Sequence, residues 1–324
     1  MRRIIQLGFI VFFITVSISG ISPARAQKTV RFSIATGSTG GIYYSIGGSL
    51  ANMLSKYIPY LEGTAEVTAA SVDNCLLVGK KKADLAFTMA DTAWDAYQGK
   101  KPFKEKMALR TVGVLYPSTM HVVTIEGKGI EKVTDLKGKR VSTGSPGSET
   151  EVMALRVLGA YRLNPNKDLT RDKLSVSESV RAMKDGKIDA FFWVGGLPTV
   201  AITDPGGTPG VKIKLIGHAE AISKMRETYG PFYVRGVIPA KTYPGQSMDV
   251  PAVVVWNLLV CNEMMKENIA YGIVKTLFDH KPELVASHRE ISSLSFEHQA
   301  GGGSPIPFHP GAIRYFTEKG LKTN

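Results

Sequence analysis

The chain has 324 residues, with 40 Lys+Arg against 28 Asp+Glu, 44% hydrophobic residues and 2 Cys. At roughly 150 residues per domain this is room for about two domains. A charged fraction of 21% excludes whole-chain disorder, and two cysteines exclude a disulfide scaffold. The number left to explain is a formal charge of +12, because basic proteins often meet nucleic acid, membrane surfaces or small anions.

Met1-Arg2-Arg3, an apolar run to Ser22 and the triplet Ala24-Arg25-Ala26 have the three zones of a secretory signal peptide, residues 1–26. Cleavage after Ala26 would release a mature chain into the periplasm; a retained N-terminal anchor is the alternative. The leader carries Arg2, Arg3 and Arg25 and no acid, so its loss reduces +12 to +9. No later stretch approaches the roughly 20 apolar residues that span a bilayer. In an oxidising compartment Cys75 and Cys261 either pair or remain buried thiols, and spacing alone leaves both open.

Val30–Ile34 alternates and predicts a strand. TGSTGG follows at 36–41, and Ile42, Tyr43, Ile46, Leu50 and Leu54 then recur at helical spacing until Pro59. GKKKADLAF at 79–87 reads as a polar turn and a strand, and His121–Ile125 as another strand. Arg140–Ser142 leads into TGSPGSET at 143–150 and a helical run to Leu158, and GKIDAFF at 186–192 repeats the turn and strand. Gly37 and Gly144 stand 107 positions apart, as do Gly79 and Gly186. The shared offset predicts a duplicated plan, two α/β lobes around one cleft. Strands at 253–256 and 258–260, a helix over 263–279, an irregular segment at 301–311 and a short last helix complete the order.

A Gly/Ser/Thr turn before a helix offers free N–H groups, hydroxyls and the positive end of the helix dipole, which together hold an anion. The plainer reading is helix capping alone. Neither turn has the glycine spacing of a dinucleotide site or the lysine of a P-loop, and Thr143 stands where a nucleophile elbow needs glycine. Six histidines show no metal-binding spacing, so neither metal nor cofactor is expected. Lys80–Lys82 and Lys100-Lys101 read as solvated turns, and no nucleic-acid partner is expected. Tyr43 shares the apolar face of Ile46 and Leu50 and reads as core. Tyr44 lies over Gly47, Gly48 and Ala51, a face open to close approach, and reads as a ligand contact.

The segments at 34–54, 142–158, 188–199, 238–245 and 307–316 resemble the TAXI solute-binding proteins, the extracytoplasmic receptors of TRAP transporters. The resemblance runs nearly the whole mature length. It implies a type II periplasmic-binding-protein-like α/β fold: lobe I from 27–120 and 253–324, lobe II from 121–252, each a mixed sheet flanked by helices. It also implies a non-enzymatic, monomeric receptor for glutamate, glutamine or 2-oxoglutarate, delivering to a sodium-driven TRAP membrane permease. Its motifs put the site at Thr36, Gly37, Ser38, Gly40, Gly41 and Tyr44, at Ser145, Gly147, Ser148, Glu149 and Thr150, and at Trp193, Gly195 and Gly196. Asn74 and Asp91 are added from neighbouring loops. Glu149 either caps its helix or accepts a ligand ammonium. With no arginine in the turns, a carboxylate would rest on N–H groups and hydroxyls. The alternatives are an exported serine hydrolase, for which no partnered His and acid are visible, and a surface adhesion protein reusing the fold.

Overall fold

A computed structural model describes residues 29–203, 212–300 and 303–322. The expected leader and its cleavage point lie outside the described residues. β1 (Val30–Ala35) follows the predicted alternation and buries Phe32 and Ile34. α1 (Ile42–Tyr57) begins after Gly41 and buries Tyr43, Ile46, Leu50 and Leu54 along one stripe. It ends ahead of Pro59, because the residue before a proline is pushed out of the helical region. β2 (Leu61–Glu66), α2 (Ser71–Gly79) and β3 (Leu85–Met89) follow, with β1 paired parallel to both β2 and β3. α3 (Ala90–Gln98) leads on towards β4 (Leu109–Ile125).

The first plan then returns. β5 (Arg140–Ser142), α4 (Glu149–Ala160), β6 (Thr170–Asp172), α5 (Val176–Lys184) and β7 (Ala190–Gly195) repeat it, and β5 pairs parallel to both β6 and β7. One hydrogen bond is also duplicated. The Asp84 carboxylate accepts from the Ser33 amide at 2.8 Å, and Asp189 accepts from the Arg140 amide at 3.0 Å. In both units the aspartate that opens the third strand therefore fixes the backbone of the first. Asp189 additionally receives the Arg140 guanidinium at 2.7 Å, and these contacts lower its carboxyl to about 2.

α6 (Val200–Thr203), β8 (Ile213–Leu215), α7 (Ala221–Tyr229) and β9 (Val234–Ile238) precede β10 (Val250–Asn262). The strand order is β2-β1-β3-β10-β4-β7-β5-β6, with β8 on β4 and β9 on β10. β4 and β10 run antiparallel through the centre and belong to both halves of the sheet. The two segments expected at 253–256 and 258–260 are one strand, whose register on β4 shifts between Trp256 and Leu258. The expected lobe limits, 120/121 and 252/253, fall inside these continuous strands. α8 (Glu267–Asp279) starts four residues later than predicted, after a turn in which Asn262 Oδ1 accepts from the Met264 amide. α9 (Lys281–Ser287) and α10 (Pro310–Glu318) finish the chain, and His309 Nδ1 caps α10 by accepting from the Gly311 amide at 3.1 Å.

Cys75 and Cys261 are both buried and unpaired, and burial pushes each thiol up to about 12. Among the described residues no helix is long and apolar enough to cross a membrane, and no group of His, Cys, Asp or Glu is arranged to hold a metal.

The duplicated clip makes a testable pair. Asp189→Asn is expected to cost about 1.5–3 kcal/mol in urea unfolding, and Asp84→Asn, which lacks the guanidinium, about half as much. The Asp189 contribution is fully present above pH ~4 and drains away as pH falls towards about 2. Equal losses, or none, would contradict this account of the clip.

Candidate ligand-binding site

The two glycine-rich turns leave the C-terminal ends of β1 and β5, the edge where loops of an open α/β sheet gather around ligands. They meet across one cavity of about 640 Å³, counted with its open mouth. Gly37, Ser38 and Gly41 line it from the first turn, and Ser145 and Ser148 from the second. Glu149 and Thr150 of α4 and Trp193, Gly195 and Gly196 at the end of β7 complete the part expected from sequence.

Glycine is required at one point here and packs closely at a second. Gly144 has φ +95°, and a Cβ there would stand 2.6 Å from the Thr150 side chain. A Cβ on Gly196 would meet Ile42 of the other half at 2.3 Å. Ser148 caps α4: its Oγ accepts from the Glu151 amide at 3.2 Å and donates to the Ser145 carbonyl at 2.6 Å. α1 has no side-chain cap, so its first-turn N–H groups have no acceptor within the helix.

The other expected residues stand elsewhere. Thr36 is buried, and its hydroxyl donates to the Glu66 carbonyl at 2.6 Å. Gly40 faces Ser177 across the junction of the two halves, and the Gly147 carbonyl accepts from the Asp73 amide there at 3.3 Å. Asn74 holds the floor rigid, donating to the carbonyls of Thr36 and Phe87 at 2.7 Å each. Tyr44 is 38% exposed and outside the cavity, whereas Tyr43, expected only as core, lines it. The stripe argument for Tyr43 is sound, since the ring stacks on Phe87. In the first turn of a helix that opens on a cleft, the same face meets both core and cavity. The small face under Tyr44 is partly filled from inside, because Gly47 sits against Thr36.

Tyr43 donates to Asn257 Oδ1, and Asn257 Nδ2 donates to the Tyr116 carbonyl and Ser118 Oγ at 2.8 Å each. Tyr116 and Ser118 thus join the wall from β4, unforeseen in the sequence. Thr68, Ala69 and Ala70 before α2, and Leu174, Ser175 and Val176 around the start of α5, were also missed. A signal for these existed: the 107-residue offset carries Thr68 onto Ser175 and Ala69 onto Val176.

Among the described residues no lysine, arginine or histidine lines the cavity, and Glu149 is its one acidic residue. The Glu149 side chain is buried; Oε2 accepts from the Thr92 hydroxyl and Oε1 has no partner. Burial, reinforced by Asp91, raises its carboxyl well above the usual range. Asp91 itself lies beside the cavity rather than in its wall. Arg156 of α4 donates to Asp91 at 2.7 Å, and also to Asp95 and to the Tyr233 hydroxyl; Tyr233 donates to Asp91 at 2.7 Å. All four are buried, and the cluster ties α4 to α3 of the other half.

The NMT1-like family model matches residues 34–320. Among solved structures, the chain is similar to an ancestral arginine-binding protein bound to arginine, at 14% identity over 81% of this chain and 97% of that one, with a TM-score of 0.50. A protein from Bordetella bronchiseptica RB50 matches at 16% identity over 89% and 80%, also with a TM-score of 0.50. The alkanesulfonate-binding protein SsuA from Xanthomonas axonopodis pv. citri bound to MOPS matches at 15% identity over 90% and 85%, with a TM-score of 0.48. At these identities the likeness to the first two is one of fold alone, the expected α/β architecture of a mixed sheet flanked by helices.

Because removing one partner strands buried charge, Arg156→Met is expected to lower stability by about 3–5 kcal/mol in chemical unfolding. A loss below about 1 kcal/mol would show that the cluster does not hold the halves together.

Proposed function

The chain belongs to the NMT1-like family, and on that premise we propose that it is an extracytoplasmic solute receptor of the TAXI type. It captures a small carboxylate-bearing solute of the glutamate, glutamine or 2-oxoglutarate class and passes it to a sodium-driven TRAP permease. The receptor is a periplasmic monomer, released by cleavage after Ala26. Its lobes are 27–120 with 253–324, and 121–252, and ligand contacts made to both favour the closed arrangement.

One observation carries this reading: α1 and α4, helices of different halves, both start at a single cavity walled from both sides. With no cationic side chain in the wall among the described residues, a ligand carboxylate is held by helix N-terminal N–H groups and by the hydroxyls of Ser38 and Ser145. The hydrolase alternative finds no support, because Ser148 is committed to capping α4 and no histidine among the described residues lines the cavity. An adhesion role would leave the cavity without a ligand.

Calorimetry of the mature chain against amino acids and dicarboxylates tests the reading. One-site binding without turnover is expected, weakened at least tenfold, about 1.4 kcal/mol, by Trp193→Ala or by Ser145→Ala with Ser148→Ala. Tyr44→Ala leaves affinity unchanged. A bound solute indifferent to the cavity variants, or turnover of that solute, would contradict the proposal.

A further inference from the structure

Glu149 occupies the first position of α4, yet it does not serve the helix. Ser148 is the cap, and it is Glu151 that reaches back, accepting from the Gly147 amide at 3.2 Å and pairing with Arg171. Glu149 instead sends its side chain into the cavity wall with 2% of its surface exposed. One carboxyl oxygen is held by Thr92, and the other has no hydrogen-bond partner. Buried polar atoms are paired in the great majority of cases; with its neighbour Asp91 able to accept only the proton of the neutral acid, the unpaired oxygen in the cavity wall offers a place to a donor on a ligand.

The charges around it narrow that partner. Asp91 faces Glu149 from α3 and Arg156 from its own helix; Asp95 meets the far side of Arg156, and Tyr233 closes the cluster. Tyr43 of α1 and Cys75 of α2 lie within range of its charge, and Tyr116 of β4 shares the cavity. The one guanidinium is already hydrogen-bonded to both aspartates. Three carboxyls therefore share a single cation, and the lining supplies no other. Glu149 is the first residue of α4, and the first-turn N–H groups of that helix favour an anion.

We propose that Glu149 selects the ligand: its free oxygen takes a protonated amine while the α4 N-terminus takes the adjacent carboxylate, so the cavity captures an α-amino acid and rejects the corresponding oxo acid. This deepens the receptor reading above and rests on it. In the empty site burial and Asp91 keep the carboxyl protonated. An incoming ammonium replaces that proton, which leaves for solvent, so the neutral acid and the cationic amine become a carboxylate–ammonium pair plus a released proton.

Calorimetry with L-glutamate, L-glutamine, 2-oxoglutarate and glutarate, run in two buffers of different ionisation enthalpy, tests this. An amino acid should bind at least tenfold tighter than 2-oxoglutarate and release up to about one proton. Glu149→Gln should weaken the amino acid at least tenfold, abolish the buffer dependence and erase the preference over 2-oxoglutarate. Should Glu149→Gln fail to fold, proton release from the native chain decides alone: none on amino-acid binding overturns the proposal. Equal or tighter binding of 2-oxoglutarate, or an unaffected Glu149→Gln, also overturns it. If no amino acid binds, the selection is wrong; a different solute whose binding is lost with Ser145 and Ser148 leaves the receptor reading standing.

Discussion

Arg156 is buried between helices that belong to different halves of the sheet, and its guanidinium is tolerable there only because Asp91 and Asp95 come to meet it. An isolated charge in that position would cost several kcal/mol. The pairing therefore fixes how close α3 and α4 must stand. Once they are close, Thr92 reaches Glu149, Tyr233 seals the cluster and the start of α4 faces the start of α1. The cavity is the space left between two helix ends brought together in this way. The central strands supply the other condition: β4 and β10 pass through both halves, so the halves meet along continuous chain rather than across a linker.

That geometry changes the meaning of the chain's basic character. Of the formal +12, three units fall in the expected leader, and none of the remainder lines the cavity. Several lysines and arginines are spent in exposed pairs such as Lys56–Glu283, Lys224–Glu227 and Lys275–Asp279, which contribute little to stability. On the proposed reading, capture of an anion falls to oriented backbone dipoles and hydroxyls, which act without a cationic side chain among the described residues of the site, and the surface charge is left to attract small anions and a membrane partner in a general way.

Much of the fold was legible in the sequence because its repeat is local. Turn residues at Gly37 and Gly144 and the aspartates that open β3 and β7 are short-range signals, and they located both βαβαβ units. The reach of β4 was not legible: its residues are buried on both faces, so no alternation marks it, and Gly113 and Pro117 read as breaks. Of the residues singled out for the site, Gly37, Ser38, Gly41, Ser145, Ser148 and Trp193 line the cavity, while Thr36, Gly40 and Gly147 do not. Asp91 was singled out, but its Arg156 partner lies 65 residues away and carries no local signature. Tyr43 and Tyr44 were assigned by a stripe rule that treats core and cleft as opposite faces, and at the first turn of α1 they are the same face.

The central claim is that one solute is held by both halves, between the ends of α1 and α4. A crystal structure of the mature chain grown with the tightest-binding solute tests it most directly. The account predicts one molecule in the cavity, its carboxylate on the first turn of α4 or α1 and its remaining contacts on Trp193 and Tyr43. A solute bound outside this cavity, or touching only one half, would contradict it.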